Sequence, residues 1–113
     1  MDCIFCKIAA HEIPARIAFE SEQLIAFHDL FPQAPTHVLI IPKKHYTTMN
    51  DVPASDSALL GKMMSAATQI ARESGVEESG YRVVMNCNKD GGQSVYHIHL
   101  HLLAGRPLGW PPG

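Results

Sequence analysis

The chain has 113 residues, 46% of them hydrophobic, and a formal net charge of −2. This length fits a single domain, residues 1–113, and the near-neutral charge gives no electrostatic basis for binding nucleic acid or an anionic membrane. The longest apolar runs, such as Val38–Ile41, are far too short to span a bilayer. Because no basic segment followed by a long apolar stretch opens the sequence, we expect a cytoplasmic protein whose cysteines are thiols or metal ligands.

The pattern along the chain predicts short strands around one long helix. The candidate elements are a short helix Cys3–Ala10, strands Arg16–Glu20, Leu24–His28 and His37–Ile41, a long helix between the Pro53–Asp56 start signals and Gly75, a strand Tyr81–Cys87, a turn Asp90–Gly92 and a strand Ser94–Leu103. This order predicts an α+β domain with a five-stranded antiparallel sheet. The apolar stripe of the long helix, Leu59–Ala71, has helical spacing and is interpreted as core packing.

The most informative segment is Ser94–Leu103, in which His97, His99 and His101 alternate with apolar residues. Alternate residues of a strand share one face, so the three imidazoles are expected to form a row, about 7 Å apart, with the intervening side chains in the core. The intervening residues are Tyr96, Ile98, Leu100 and Leu102. Because a neutral imidazole can attack phosphorus, donate a proton or bind a metal, the row indicates either a metal site or a covalent phosphoryl site.

The segment Gly91–Ser94 directly precedes this row. Glycines let backbone N–H groups approach an anion closely, so the segment is either a phosphate cradle or an ordinary hairpin turn. The Ser94 hydroxyl, at the mouth of the strand, could donate to a leaving group. If the flanking strands form a hairpin, Asn86 lies near Ser94 and could donate to a phosphate oxygen, although Asn is also common at strand ends. His37 is either a fourth imidazole of the site or an exposed residue at a strand end.

Six motifs carry a resemblance to a known family. They are His97–Leu103, Phe27–Asp29, Pro32–His37, Ile41–His45, Gly91–Tyr96 and Trp110–Gly113. On these motifs, nearly the whole chain resembles the Hint branch of the histidine triad (HIT) superfamily. The resemblance implies a HIT fold with one long helix and a short N-terminal helix. It also implies a homodimer in which the sheet continues across the two-fold axis and the C-terminal tail reaches the partner's site.

The resemblance further implies a purine nucleoside phosphoramidase. Such enzymes cleave the P–N bond of adenosine or guanosine 5′-phosphoramidates, and they hydrolyse aminoacyl adenylates. By motif position, His99 is the nucleophile, which forms a nucleotidyl-imidazole that water hydrolyses to AMP or GMP. His101 and His37 would hold phosphate oxygens, and Ser94 would protonate the departing amine. No cofactor is required for this chemistry.

The nucleotide contacts implied by the resemblance involve further residues. Asn86 and the N–H groups of the segment with Gly92, Gln93 and Ser94 would stabilise developing charge. Asp29 would accept hydrogen bonds from both ribose hydroxyls. The purine would be held by Ile4, Phe5, Ile13, Phe27, His28 and Leu30. Trp110 would act in substrate selectivity; without the resemblance it would be a tail aromatic that covers apolar surface.

A second candidate site begins with the Cys-x-x-Cys pair Cys3 and Cys6. In a reducing compartment such a pair is often half of a zinc site. The resemblance implies that His45 and His97 complete a structural Cys2His2 zinc site. The alternative is two buried thiols in a short helix. If zinc binds, His97 is structural, and His99 and His101 alone face the phosphate.

Two rival functions remain open at the sequence level. One is a metal-dependent hydrolase with His97, His99 and His101 as ligands, which is disfavoured because Asp90 is the only carboxylate near them in sequence. The other is a non-catalytic nucleotide-binding scaffold that uses the same pocket. The charge balance disfavours a third function, nucleic-acid binding.

Overall fold

The computed structural model describes residues 2–113 and forms one antiparallel sheet with helices on both faces. Its strands are β1 (Ile17–Glu20), β2 (Leu24–His28), β3 (Thr36–Pro42), β4 (Tyr81–Val84) and β5 (Leu100–Ala104). Its helices are α1 (Ile4–Ala9), α2 (Ser57–Glu73) and α3 (Asn88–Gly91), with 3-10 turns at Met49–Asp51 and Ala54–Asp56. The strand order is β1-β2-β3-β5-β4. The predicted α+β fold, with a five-stranded antiparallel sheet, a long helix and a short N-terminal helix, is confirmed.

Side-chain alternation along the strands decides which helix covers which face. The face toward α2 carries Leu24, Ala26, Val38, Ile40, Leu100 and Leu102. The opposite face carries Ile25, Phe27, Leu39 and Ile41, which pack against Phe5 and Ile8 of α1. His37 and His101 lie in register positions on this second face, beyond the part that α1 covers. The shortness of α1 therefore leaves room for a site.

Helix α2 supplies most of the core on its own face of the sheet. Met63, Ala67 and Ile70 are buried against the strands, so the predicted core stripe is confirmed. Gly75 has φ +73° and its N–H bonds to the Arg72 carbonyl, which ends the helix as expected. Asp56 does not cap α2; its carboxylate accepts a hydrogen bond from the Tyr46 hydroxyl instead. Among residues 2–113, no helix is long and apolar enough to cross a bilayer.

The prediction of one long histidine strand is wrong in its first half, because β5 begins only at Leu100. In the antiparallel register Ile40 pairs with Leu100, so a longer β5 would bring Ile98 opposite Pro42. Proline has no N–H to donate, and the ladder ends there. The Ile98 N–H bonds to the Tyr46 carbonyl at 2.8 Å instead. As a result Tyr96, predicted to lie in the core, is 44% exposed.

The link between β4 and β5 also differs from a simple hairpin. The strand predicted to reach Cys87 ends at Val84. The predicted turn Asp90–Gly92 overlaps the single helical turn α3 (Asn88–Gly91), which Gly92 ends with φ +82°. The two strands still pair antiparallel, with Val84 opposite His101. The glycine-rich segment is therefore a helix end followed by an irregular, bent segment that leads to the histidines.

Candidate functional site

Two cavities on the α1 face of the sheet meet at His101. The first, here the apolar cavity, has a volume of about 300 Å³. It is lined by Ile4, Phe5, Ile8, Pro14, Ala15, Arg16, Phe27, His28, Asp29, Leu30, Phe31, Leu39, Ser94, Val95, His99 and His101. The second, here the arginine cavity, has a volume of about 480 Å³ and lies between the β4–β5 edge and the C-terminal tail. Because His101 lines both, the histidines separate two neighbouring spaces.

Backbone contacts fix the orientation and tautomer of His99. Its Nδ1 lies 2.8 Å from the carbonyl oxygen of His97, which can only accept, so Nδ1 carries the proton. The lone pair of the neutral ring is therefore on Nε2. The Phe5 ring packs edge-on against His99 at a centroid distance of 5.2 Å. His99 is only 4% exposed, and its ring is held as a nucleophile would need to be.

His37 and His101 form a hydrogen-bonded chain beside His99. The Gln33 N–H donates to His37 Nδ1 at 3.0 Å, which leaves the His37 proton on Nε2. That Nε2–H donates to His101 Nδ1 at 2.9 Å. The proton of neutral His101 is then on its Nε2, and its ring centroid lies 4.9 Å from that of His99. The chain thus presents a second imidazole with a defined donor next to His99.

Burial keeps these imidazoles neutral at pH 7. Loss of solvation is the largest cause that lowers the pKa values of His37, His97 and His99. For His101, burial together with the nearby His99 and His37 rings lowers the pKa to about 4, although Asp29 acts in the opposite direction. A neutral ring retains the lone pair that attack on phosphorus requires.

The low pKa of His101 predicts that acid destabilises the protein. Between about pH 6.5 and 4, His101 is protonated in the unfolded chain and still neutral in the folded protein. The free energy of unfolding should therefore fall as pH falls. The gap between the two pKa values corresponds to about 3.4 kcal/mol, which solvent screening of this partly exposed ring reduces to about 2–3 kcal/mol. Urea denaturation of wild type and His101→Gln at several pH values measures the effect. The variant should lose part of the pH dependence; identical slopes would contradict the prediction.

The structure brings most predicted site residues to one of the two cavities. Ser94 lines the apolar cavity together with His99, while Asn86 lines the arginine cavity together with His37 and His101. Asp29 accepts from the Phe31 N–H at 2.8 Å, and its other oxygen lies 3.5 Å from His37 Nε2. The predicted base contacts at the apolar cavity are Ile4, Phe5, Phe27, His28 and Leu30.

Four predicted contacts lie elsewhere. Gln93 holds the segment between α3 and β5 in place. Its side chain donates to the Thr47 and Val95 carbonyls, and its N–H donates to the Asn88 carbonyl at 3.1 Å. The N–H of Gln93 is thus already engaged within the loop. The other three do not line the two cavities: Gly92 ends α3, Ile13 packs beside α1, and Trp110 is 84% exposed.

Sequence reasoning missed several lining residues. Phe31 and Arg16 line the apolar cavity, and Arg82 and Arg106 line the arginine cavity. Phe31 follows Asp29-Leu30 directly, so its proximity to a predicted site residue was a usable signal. The arginines carry no local motif, because only the folded sheet and tail bring them beside the histidines.

The second predicted cluster also forms. Cys3, Cys6, His45 and His97 present ligand atoms that all lie within 4.8 Å of one another. The Cys6 Sγ–His45 Nδ1 distance is 3.3 Å, the Cys3 Sγ–His97 Nδ1 distance is 3.4 Å, and the two Nδ1 atoms are 3.1 Å apart. Ligands at tetrahedral zinc, with ordinary Zn–S and Zn–N bonds, are separated by about 3.3–3.8 Å. The donor set and its spacing therefore fit zinc.

The surroundings of this cluster orient its imidazoles. His97 Nε2 donates to the Pro42 carbonyl at 2.7 Å, which leaves the Nδ1 lone pair directed at the cysteines. His45 Nε2 lies 3.3 Å from the Thr47 hydroxyl, so its Nδ1 also faces the cluster. Since His97 is turned to the cysteines, it does not converge with His99 and His101 on one point. The rival arrangement of a catalytic metal on these three histidines is not the one the structure adopts.

An antiparallel sheet that carries linked histidines beside an apolar cavity is the arrangement of a histidine triad protein. The HIT domain family model matches residues 10–108, and the chain belongs to this family. It is 52% identical to the purine nucleoside phosphoramidase of Escherichia coli strain K12 over 108 residues, which cover 96% of this chain and 91% of that protein.

Solved structures agree with this family assignment. A HIT family hydrolase from Legionella pneumophila Philadelphia 1 superposes with a TM-score of 0.97 at 57% identity, covering 99% of this chain and 100% of the other. A Zn-bound histidine triad family protein from Mycobacterium smegmatis matches with a TM-score of 0.81 at 34% identity, covering 94% and 76%. The chain is accordingly a hydrolase.

Proposed function

We propose that this chain hydrolyses the P–N bond of purine nucleoside 5′-phosphoramidates through a covalent intermediate on His99. The observation that carries the proposal is the fixed tautomer of His99, whose Nδ1–H is bonded to the His97 carbonyl while its free Nε2 belongs to a ring on the cavity wall. Similarity to the E. coli purine nucleoside phosphoramidase supports the substrate class.

In the proposed first step, His99 Nε2 attacks the phosphorus. A bond from Nε2 to phosphorus forms as the bond from phosphorus to the amine breaks, and the amine leaves with a proton from the Ser94 hydroxyl, which regains one from solvent. Water then attacks the phosphorus, the bond to Nε2 breaks, and the nucleoside monophosphate departs. Covalent catalysis of this kind divides one difficult displacement into two easier ones. Aminoacyl adenylates would follow the same steps with a carboxylate as leaving group.

Three neighbouring side chains would stabilise the phosphoryl group. His101 offers its Nε2–H, because its Nδ1 already accepts from His37. Asn86 lines the arginine cavity together with His37 and His101, and it can donate its amide N–H to a phosphate oxygen. Donors that are held in place before charge develops are the most effective form of transition-state stabilisation. His37 acts mainly by holding His101.

The apolar cavity suits a purine nucleoside. Phe5 and Phe27 pack edge to face at a centroid distance of 5.4 Å and, with Leu39, give an apolar wall. Burial and the nearby Arg16 lower the pKa of His28, so this ring is neutral and can pack on a base. Stacking area favours a purine over a smaller pyrimidine.

The proposed contact between Asp29 and the ribose hydroxyls predicts a measurable preference for ribo over 2′-deoxyribo substrates. Asp29→Asn should lower kcat/KM for adenosine 5′-phosphoramidate about tenfold, because a carboxylate accepts hydroxyl hydrogen bonds more strongly than an amide does. The asparagine oxygen can still accept from the Phe31 N–H, so the local turn is preserved. Kinetics with the ribo and 2′-deoxyribo substrates measure the effect. The discrimination between the two sugars should shrink in the variant, and unchanged discrimination would remove Asp29 from this role.

Turnover of adenosine 5′-phosphoramidate, followed by intact-mass detection of a nucleotidyl adduct, tests the main proposal. We expect AMP formation and a transient adduct. Hydrolysis that is chelator-sensitive and forms no adduct would favour metal-dependent chemistry instead. Tight AMP binding without turnover of any phosphoramidate would identify a nucleotide-binding scaffold.

We further propose that the cysteine–histidine cluster binds a structural zinc ion. When bound, zinc would link α1 to the segments that carry His45 and His97. The spacing of the four ligand atoms and the Pro42 contact to His97 support this. Metal analysis of protein purified without added zinc should find about one equivalent. Less than about a tenth of an equivalent, even after zinc is supplied during expression, would contradict the proposal.

A cytoplasmic homodimer is the proposed assembly. Strand β4 has β5 as its one partner in the sheet formed by residues 2–113, so its outer edge leaves main-chain groups available for pairing. Pairing of β4 with its copy would continue the sheet across a two-fold axis. Sedimentation at micromolar concentration should give a dimer, and a monomer would refute this assembly.

A further inference from the structure

The proton on His101 Nε2 depends on contacts that begin at a main-chain amide. The Gln33 N–H donates to His37 Nδ1 at 3.0 Å, and the His37 Nε2–H donates to His101 Nδ1 at 2.9 Å. If the proton of neutral His37 moved to Nδ1, two N–H groups would face each other there, and His101 would carry its own proton on Nδ1. The position of the Gln33 N–H therefore decides whether His101 Nε2 can donate to a substrate.

Gln33 belongs to an irregular loop, residues 29–35, between β2 and β3. The side chains of Leu30 and Phe31 are 88% and 79% exposed, so packing holds the outer part of the loop only weakly. Within the loop, the Phe31 N–H donates to the Asp29 carboxylate at 2.8 Å, and the Gln33 side chain donates to the Phe31 carbonyl at 3.0 Å. Neither contact fixes the Gln33 main chain against a neighbouring strand.

Arg106, in the segment after β5, provides such a contact. Its Nε and Nη2 both donate to the Gln33 carbonyl, at 3.1 and 3.0 Å. Within residues 2–113, these are the hydrogen bonds that reach residues 30–35 from outside residues 29–37. In the same part of the chain, no carboxylate lies within ion-pair distance of the Arg106 guanidinium. The guanidinium therefore holds the loop through two donors on one oxygen.

The backbone before Arg106 is shaped to lie against this loop. Gly105 has φ +97°, and a Cβ at this position would lie 2.8 Å from the Pro35 Cβ. Both the conformation and the close approach therefore require glycine. Ala104 pairs with Thr36 at the end of the β3–β5 ladder, so the contact directly continues the sheet. The register of two strands thus sets where Arg106 meets the loop.

We propose that Arg106 is a positioning residue for the reaction. By holding the Gln33 main chain, Arg106 fixes the proton order of the His37–His101 pair and keeps a donor on His101 Nε2. The kinetic consequence rests on the proposed phosphoramidase function, whereas the proton order is a property of the free protein. Asp29 Oδ2 lies 3.5 Å from His37 Nε2 and favours the same His37 tautomer. Loss of Arg106 should therefore give a mixture of tautomers and not a complete reversal.

Nitrogen NMR of the free protein at pH 7, with ¹⁵N-labelled histidine, tests the inference directly. Protonated and unprotonated ring nitrogens differ widely in chemical shift, so long-range ¹H–¹⁵N spectra show where each proton lies. In wild type we expect the protons of His37 and His101 on Nε2. In Arg106→Gln the ratio of the two His37 tautomers should change about tenfold, the equilibrium effect of one hydrogen bond. An unchanged ratio would overturn the inference.

Steady-state kinetics measure the consequence for turnover. In Arg106→Gln, kcat for adenosine 5′-phosphoramidate should fall about tenfold, because a donor that is no longer held in place stabilises the transition state less. Arg106→Lys keeps the charge and can donate one hydrogen bond to the Gln33 carbonyl, so its tautomer ratio and kcat should lie between those of wild type and Arg106→Gln. A purely structural role would lower the stability of both variants without moving the protons, and that result would overturn the inference.

Two control variants separate this contact from the charge and from general damage. Arg82→Gln removes a positive charge from the same cavity, but Arg82 donates to the Gly109 carbonyl and not to the loop, so the His37 tautomer ratio should stay as in wild type. Arg72→Gln, on α2 and outside both cavities, should keep both the ratio and kcat. An equal change of the ratio in Arg82→Gln and Arg106→Gln would assign the effect to charge and overturn the inference.

The outcomes distinguish this inference from the proposed function. If wild type hydrolyses adenosine 5′-phosphoramidate but the tautomer ratio is the same in wild type and Arg106→Gln, the inference is overturned and the phosphoramidase function stands. If wild type hydrolyses no phosphoramidate, the function fails, and the nitrogen spectra still decide whether Arg106 sets the proton order.

Discussion

Replacing His99 by glycine is expected to lower kcat/KM for adenosine 5′-phosphoramidate by at least about 10³-fold and to abolish the nucleotidyl adduct. The reason is that His99 is held with its proton on Nδ1, bonded to the His97 carbonyl at 2.8 Å, so its Nε2 is the free lone pair of the ring. His101 cannot take over, because its Nδ1 already accepts a hydrogen bond from His37 and its Nε2 carries the proton. Steady-state kinetics and intact mass measure the two effects.

His11→Gly is the matched control for this experiment. His11 is an exposed histidine that pairs with Glu20 at 2.8 Å, and it does not line either cavity of the site. Its removal should leave turnover near the wild-type value. Turnover that survives in His99→Gly would move the chemistry to another residue and overturn the assignment of His99.

Replacing Cys6 by serine is expected to release the proposed zinc and to lower the free energy of unfolding by about 4 kcal/mol. Cys6 joins α1 to both His45 and His97, at Sγ–Nδ1 distances of 3.3 and 3.5 Å. Without a bound ion, the connection between α1 and the distant segments that carry His45 and His97 is lost, and the folded state is less stable. Metal analysis and urea denaturation of the two proteins measure the change.

Cys87→Ser provides the comparison, because Cys87 is the third cysteine and lies outside the cluster. It should retain the metal and most of the stability. If wild type and Cys6→Ser unfold at the same urea concentration, and a chelator shifts neither, the cluster contributes no metal-dependent stability.

Much of the fold could be predicted from periodicity and breakers alone. The apolar runs of β2 and β3 and the helical stripe of α2 are local patterns, and the structure follows both. Gly75 ends α2 through a left-handed conformation that glycine adopts without strain. These elements are predictable because β2 and β3 are buried on both faces and α2 on one, and both kinds of burial leave a local pattern of apolar residues in the sequence.

The start of β5 in the histidine segment could not be predicted from local sequence patterns. Alternation predicted a strand through His97 and His99, but pairing depends on the neighbouring strand, and Pro42 opposite Ile98 cannot donate. The predicted Pro42 stop was therefore correct for β3, and its consequence for β5 needed the register between two distant segments. Strand pairing is a property of two sequences at once, which a single pass along the chain does not combine.

The residue types of the candidate site could be predicted from the sequence, but their hydrogen-bond partners and proton positions could not. Spacing singled out His97, His99 and His101, yet the proton positions follow from contacts to the His97 and Pro42 carbonyls. Likewise, Gln93 belonged to a glycine-rich segment that suggested anion binding, and its hydrogen bonds instead brace a loop. Arg82 and Arg106 reach the site through tertiary structure alone.

His97 serves two neighbouring structures through different atoms. Its ring belongs to the cysteine cluster, whereas its main-chain oxygen sets the tautomer of His99. Every amino acid has that carbonyl, so a change of side chain at this position removes a ligand and leaves the contact to His99 chemically intact. The proposed metal site and the proposed catalytic site can therefore change independently during evolution. A lineage could gain or lose the metal by a few substitutions without rebuilding its nucleophile.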